Sequence, residues 1–136
     1  MPKSLKEYLV SQVGGWTALL NPIWDFLFNM KLYIAGKISG LPKKEYKANF
    51  NKAEKSLRKL GHEVVNPTKL PHNHDQSWES FMKEDLTEML KCDAVILLHN
   101  WRDSMGAQIE RKVASLLNIK IYDLTIFLHE PTNKRL

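Results

Sequence analysis

Glu110 is the carboxylate whose surroundings in the sequence best suit chemistry. It follows a short apolar run, Asp93-Ala94-Val95-Ile96-Leu97-Leu98, which lacks the alternation of a half-wetted strand and so reads as a strand covered on both faces in a parallel sheet. His99 to Asp103 leave that strand. Ser104 is placed to cap a helix, and Met105, Ile109, Val113, Leu116 and Leu117 recur behind it at helical spacing. Glu110 then stands in the second turn of a helix that begins at the carboxyl end of a central strand, where open α/β sheets bind ligands. A carboxylate there can face a substrate and offer it acid–base or nucleophilic chemistry. The alternative is a solvated helix charge, with Ser104 only a cap.

Other candidates are weaker alone. Gly36-Lys37-Ile38-Ser39-Gly40 ends the first strand, and its glycines would let backbone N–H groups approach a ligand, with Lys37 and Ser39 able to hold a phosphate. It is neither a Walker loop nor a dinucleotide fingerprint, because no Gly-Lys-Ser/Thr follows and the glycine spacing is wrong. Tyr33 reads first as a strand aromatic, and Asp85 as a charge between apolar helix positions. His72, His74 and Asp75 share a loop, but no second ligand cluster stands at a recognisable spacing, so no metal is expected. Cys92, the single cysteine, rules out an internal disulfide, suggests a reducing compartment and a cytoplasmic protein, and heads an apolar strand as a core residue.

The elements that must position these groups alternate. Leu32 to Ala35 is a strand, Lys44 to Leu60 a helix with a stripe of Tyr46, Phe50, Ala53, Leu57 and Leu60, and Gly61 its stop. His62 to Val65 is a second strand. Ser77 caps a helix that runs to about Lys91, with Trp78, Phe81, Met82, Leu86, Met89 and Leu90 as its apolar set and Ser80 where a full capping box would have Glu or Gln. After the Glu110 helix, Ile119 to Tyr122 is a fourth strand, Thr125 to Leu128 an edge strand, and His129 to Leu136 a loose tail. Residues 1–29 read as an added helical extension, interrupted by Gly14-Gly15 and Pro22, whose aromatic face suits packing or oligomer contact better than a membrane surface. It is too short and broken to span a bilayer and lacks a signal peptide's pattern.

With 136 residues, 43% hydrophobic and 26% charged, the chain fits one globular domain of the α/β class spanning residues 30–128. A net charge of +5 favours anionic partners such as phosphorylated small molecules; the lysines are scattered, so nucleic acid is not indicated.

Taken together, Tyr33-Ile34-Ala35-Gly36-Lys37-Ile38-Ser39-Gly40, Glu84-Asp85-Leu86, Cys92-Asp93-Ala94-Val95 and Ser104-Met105-Gly106-Ala107-Gln108-Ile109-Glu110 resemble the nucleoside 2-deoxyribosyltransferase superfamily. The match is to its small phage and bacterial branch of the DUF4406 type, with the deoxynucleoside 5′-monophosphate N-glycosidases as relatives. The resemblance covers Met30 to Tyr122. It implies a flavodoxin/Rossmann-like three-layer sandwich with a mostly parallel sheet of four to five strands.

It also implies a set of roles. Glu110, in a Ser-x-Gly-x-x-x-Glu pattern with Ser104 and Gly106, would be the nucleophile. Asp85 would be the second carboxylate, and Tyr33 the hydroxyl that orients Glu110. The loop from Gly36 through Lys37, Ile38 and Ser39 to Gly40, with Ser104, would receive a 5′-phosphate. Trp101, a loop tryptophan, would either stack on a base or pack on its own core. No cofactor is implied, and a homo-oligomer is. Ser39 replaces an arginine of the hydrolase relatives, leaving Lys37 to supply charge, and Gln108 replaces a glycine, which would narrow or polarise the base pocket. A non-catalytic nucleotide binder using the same pocket, or an interaction or membrane-associated protein working through residues 1–29, are the alternative readings.

Overall fold

The computed structural model describes residues 29–129; the extension expected over 1–29 lies almost wholly outside them, as does the tail after His129. In chain order the elements are β1 (Lys31–Ala35), α1 (Lys43–Lys59), β2 (Glu63–Val65), a 3-10 turn (Pro67–Lys69), α2 (Trp78–Met89), β3 (Ala94–Leu97), a second 3-10 turn (Trp101–Asp103), α3 (Met105–Leu116), β4 (Lys120–Asp123) and α4 (Leu124–His129). The four strands pair in the order β2-β1-β3-β4, all parallel.

The order follows from the crossovers. Right-handed β-α-β connections that step outward from β1 in opposite directions must put their helices on opposite faces of the sheet. Leu32 and Ile34 of β1 accordingly pack with Phe50, Ala53 and Leu57 of α1 and with Phe127 of α4. Tyr33 and Ala35 point the other way, to Met89 at the end of α2 and to Ala107 and Ala114 of α3. The result is a three-layer α/β/α sandwich in which β3 is buried along its whole length. The chain order reverses between β1 and β3, so their carboxyl ends form the switch point of the sheet.

Close approach at this switch point decides two glycines. A β-carbon on Gly36 would lie 2.6 Å from Leu98 Cδ1, so its small size serves the packing of β1 against β3. Gly40 holds φ at 86° in the four-residue turn Ile38–Leu41, closed by the Leu41 N–H to the Ile38 carbonyl at 3.2 Å.

Two expectations are overturned. Thr125 to Leu128 is not an edge strand but lies within α4. Asp123 Oδ1 accepts the backbone N–H groups of Thr125 and Ile126 at 3.0 and 3.3 Å, and this cap starts a helix that buries Phe127 and leaves β-branched Ile126 outside. The face of α3 is also rotated from the expected stripe. Ala107, Glu110 and Ala114 are buried, whereas Met105, Leu116 and Leu117 are exposed. Small side chains let α3 lie close to the sheet, and that closeness carries Glu110 inward. Among the described residues no helix is long and apolar enough to cross a membrane.

Candidate active site

Two helix starts aim the carboxyl groups. Ser104 Oγ accepts the Ala107 N–H at 3.1 Å and starts α3 directly after the switch-point strand, so Glu110 comes to rest 5% exposed beneath the cavity. Ser77 Oγ accepts the Ser80 N–H at 3.1 Å and starts α2, with the Ser80 hydroxyl closing the cap at 2.9 Å in place of the absent glutamate. That helix brings Asp85 to the same place.

Glu110 and Asp85 line one cavity of about 610 Å³ at the carboxyl edge of the sheet, a volume within the ordinary range for small-molecule sites. Tyr33 is fully buried behind Glu110. Each member of the trio has a buried oxygen without a hydrogen-bond partner among the described residues: Tyr33 Oη, Asp85 Oδ1 and Glu110 Oε2. Leaving a buried polar atom unpaired costs about 1–3 kcal/mol, so three in one place mark a site organised for something other than stability.

The electrostatics agree. Burial pushes the Glu110 carboxyl up to about 8; the neighbouring Tyr33 hydroxyl offsets part of this, and the Asp85 charge adds to it. Tyr33 stands beside the carboxyl without a formed hydrogen bond. Its own hydroxyl is held well above the usual range by burial first and by Glu110 and Asp85 next. Burial also lifts Asp85 to about 7, against the pull of His72 and with a push from Glu84. Two carboxyls that titrate near neutrality in one cleft can each take up or give up a proton there. Cys92, by contrast, is buried and pushed by that burial up to about 11, which suits a core thiol.

Of the expected ligand-binding residues, Gly36, Ile38, Ser39, Ser104 and Gly106 line this cavity with the two carboxyls. A β-carbon on Gly106 would meet Met82 Sδ at 3.1 Å, so glycine there lets α3 and α2 close around the cleft. Lys37, Gly40 and Trp101 do not line it. The Lys37 backbone N–H is bonded to Asn100 Oδ1 at 3.1 Å, and Trp101 packs against the Tyr33 side of the core with the Arg102 and Arg111 guanidiniums 4.8 and 5.1 Å from its ring centre. Gln108 is exposed and donates to the Arg102 carbonyl at 2.5 Å, so it does not narrow the pocket.

The cations on the cavity wall are Lys43 and Lys47, with Tyr46 between them, on the first turns of α1. Neither lysine was singled out from the sequence. Their four-residue spacing just after the Ser39 loop was the available signal, since it puts both on one side of the helix. His72 and Gln76, from the loop before α2, line the same cavity.

That loop and α2 together hold the one histidine and carboxylate grouping with metal-ligand proximity among the described residues: His72 and His74 from the loop and Glu84 from the helix. Asp75, the partner named from sequence, instead accepts the Ser77 N–H at 2.9 Å. His74 Nδ1 accepts the Gln76 backbone N–H at 3.1 Å, which puts the ring proton on Nε2, 3.1 Å from Glu84 Oε2. A metal-binding imidazole has the opposite arrangement, donating from its second nitrogen. The cluster is therefore a hydrogen-bonded clamp.

The model of a family described as a domain of unknown function, DUF4406, matches residues 30–123. Among solved structures, a 2-deoxyribosyltransferase from the psychrotolerant bacterium Bacillus psychrosaccharolyticus is similar over 68% of this chain and 70% of its own, with 27% sequence identity and a TM-score of 0.53. No curated protein matches.

Proposed function

We propose that this chain, which belongs to the DUF4406 family, cleaves or exchanges the N-glycosidic bond of a (deoxy)nucleoside 5′-monophosphate or nucleoside, with Glu110 as nucleophile. The observation that carries this reading is the convergence of Glu110 and Asp85, both with raised pKa, on one cavity at the switch point of the sheet. Similarity to a 2-deoxyribosyltransferase supports the chemistry.

In this reading a Glu110 oxygen bonds to C1′ of the sugar as the C1′–N bond breaks and its electron pair leaves on the base. Asp85, which holds a proton near neutrality, delivers it to the departing base. Once Glu110 is ionised, the neighbouring Tyr33 hydroxyl donates to the carboxylate and orients it. Water, or a second base, then attacks C1′ and frees Glu110; Asp85 takes up the proton that the attacking group loses. Burial makes the Glu110 anion costly to form, and a poorly solvated carboxylate is correspondingly stabilised by the positive charge that develops on the sugar. Lys43, Lys47, Ser39 and Ser104 are the groups in reach of a phosphate, in keeping with the chain's net positive charge.

The test is base release, followed by chromatography, from deoxy- and ribonucleosides and their monophosphates, with and without a second free base. Release from the parent chain that vanishes in Glu110→Ala supports the reading, and dependence on the added base makes the protein a transferase. Nucleotide binding without release from any substrate would leave a binder that uses the same pocket.

A further inference from the structure

The loop between the first 3-10 turn and α2 is tied down by bonds that the glycosyl chemistry does not use. Glu84, the residue before Asp85, holds His72 at two points: Oε2 accepts from His72 Nδ1 at 2.6 Å, and Oε1 accepts the His72 backbone N–H at 3.0 Å. Burial raises the Glu84 pKa, but these bonds outweigh it and keep the carboxyl below its ordinary range. Gln76 ties the loop to itself, its Nε2 donating to the His72 and His74 carbonyls at 2.7 and 3.0 Å. His72 and Gln76 both hold positive φ, 52° and 64°, a region that costs a residue with a β-carbon about 1–2 kcal/mol. Backbone strain of this kind persists where surrounding bonds enforce it, and it gathers at ligand clamps.

The strain is spent on bringing the His72 ring to the cavity wall. Phe81, which lines the same cavity, meets the ring edge-on with centroids 4.9 Å apart and fixes its plane. Because Nδ1 is committed to Glu84, Nε2 is the ring nitrogen left for a ligand; it accepts a hydrogen bond when the ring is neutral and donates one when protonated. His72 also acts electrostatically on Asp85, so it stands on the side of the cavity where the proton donor works. Lys43 and Lys47 supply the cationic wall.

We infer that His72, aimed by Glu84, contacts the nucleobase through Nε2 and sets which base the site prefers. This rests on the glycosyl reading above. A phosphate would be drawn to the lysines, whereas the base must lie toward Asp85 to receive its proton, and the edges of bases present the donors and acceptors that an imidazole nitrogen can pair with.

The discriminating variant is His72→Asn. Asparagine tolerates positive φ, and its amide can donate to Glu84 as Nδ1 does, but it has nothing at the place of Nε2. Binding is measured by calorimetry for a panel of deoxynucleosides and their monophosphates, in full-length chain carrying Glu110→Ala to prevent turnover. The ratio of affinities between the best and worst base is expected to fall about 5- to 10-fold in His72→Asn, the scale of one lost hydrogen bond. His72→Gln, whose amide reaches further, is expected to recover part of that ratio. An unchanged ratio, whether affinity is kept or falls equally for all bases, overturns the role of His72 and leaves the glycosyl reading intact. Absence of binding by every nucleoside and nucleotide overturns the glycosyl reading and this inference with it.

Discussion

Replacing Glu110 by Gln is expected to make the fold more stable, and increasingly so as the pH rises. In the unfolded chain the carboxyl ionises around its ordinary value of 4.5; in the fold, burial holds it at about 8. Between these values the unfolded state releases a proton that the folded state keeps, so the folded state binds more protons and stability falls as pH increases. The loss begins above 4.5 and is complete once the pH passes the folded value. Its full size is about 5 kcal/mol, and about 2–3 kcal/mol of it falls between roughly pH 6 and pH 9. Glutamine keeps the shape and carries no charge, so its own cost of burial does not change with pH. Urea unfolding at several pH values, followed by circular dichroism, should give a parent curve that declines across this range and a Glu110→Gln curve that declines less by that amount. Parallel curves would mean that Glu110 ionises in the fold as easily as in water and that burial does not raise its pKa.

Other expectations concern the same cleft. If Asp85 must carry a proton while Glu110 is ionised, kcat/KM should be bell-shaped, with macroscopic limbs near the pair's values of about 7 and about 8, and a steady-state pH profile checks this. Because the acid has the lower value of the two, the productive proton arrangement is the minor one, and the maximum should be narrow. Asp85→Asn should lower kcat about 10²- to 10⁴-fold for ordinary bases and much less for a base activated as a leaving group, as single-turnover kinetics on both would reveal. Gly36→Ala should cost about 1–3 kcal/mol, seen as a lower Tm, because its new methyl group would sit 2.6–2.9 Å from three atoms of buried Leu98.

Much of the frame was legible from the sequence because its local signals agree with one another. The unbroken apolar run from Ala94 to Leu98 names a strand buried on both faces, and Gly61 and the capping serines 77 and 104 mark helix ends that the structure keeps. What escaped is set by contacts that are distant in sequence. The orientation of α3 could not be read from its apolar residues, since Ala107 and Ala114 win the sheet face by being small while Met105 and Leu116 stay outside. The start of α4 depends on Asp123, a cap that lies within the last strand residue, and β-branched Thr125 and Ile126 argued locally for the wrong element. In the site, the placing of Glu110 and Asp85 together needed the sheet order, which no single motif contains. Lys43, Lys47 and His72 join them from elements far away in the chain, and Lys37 and Trp101 are carried away from the cavity by a backbone bond and by packing on the core.

In the proposed reaction Glu110 forms a covalent bond to the sugar. Its most direct test is mass spectrometry of the protein quenched in acid within a single turnover of a substrate that releases its base. A mass increase equal to the sugar, or to the sugar phosphate, on the peptide that contains Glu110, and absent from Glu110→Gln, is the expected result. Base release at full rate with no such adduct, or with the adduct on a different carboxylate, would contradict the assignment.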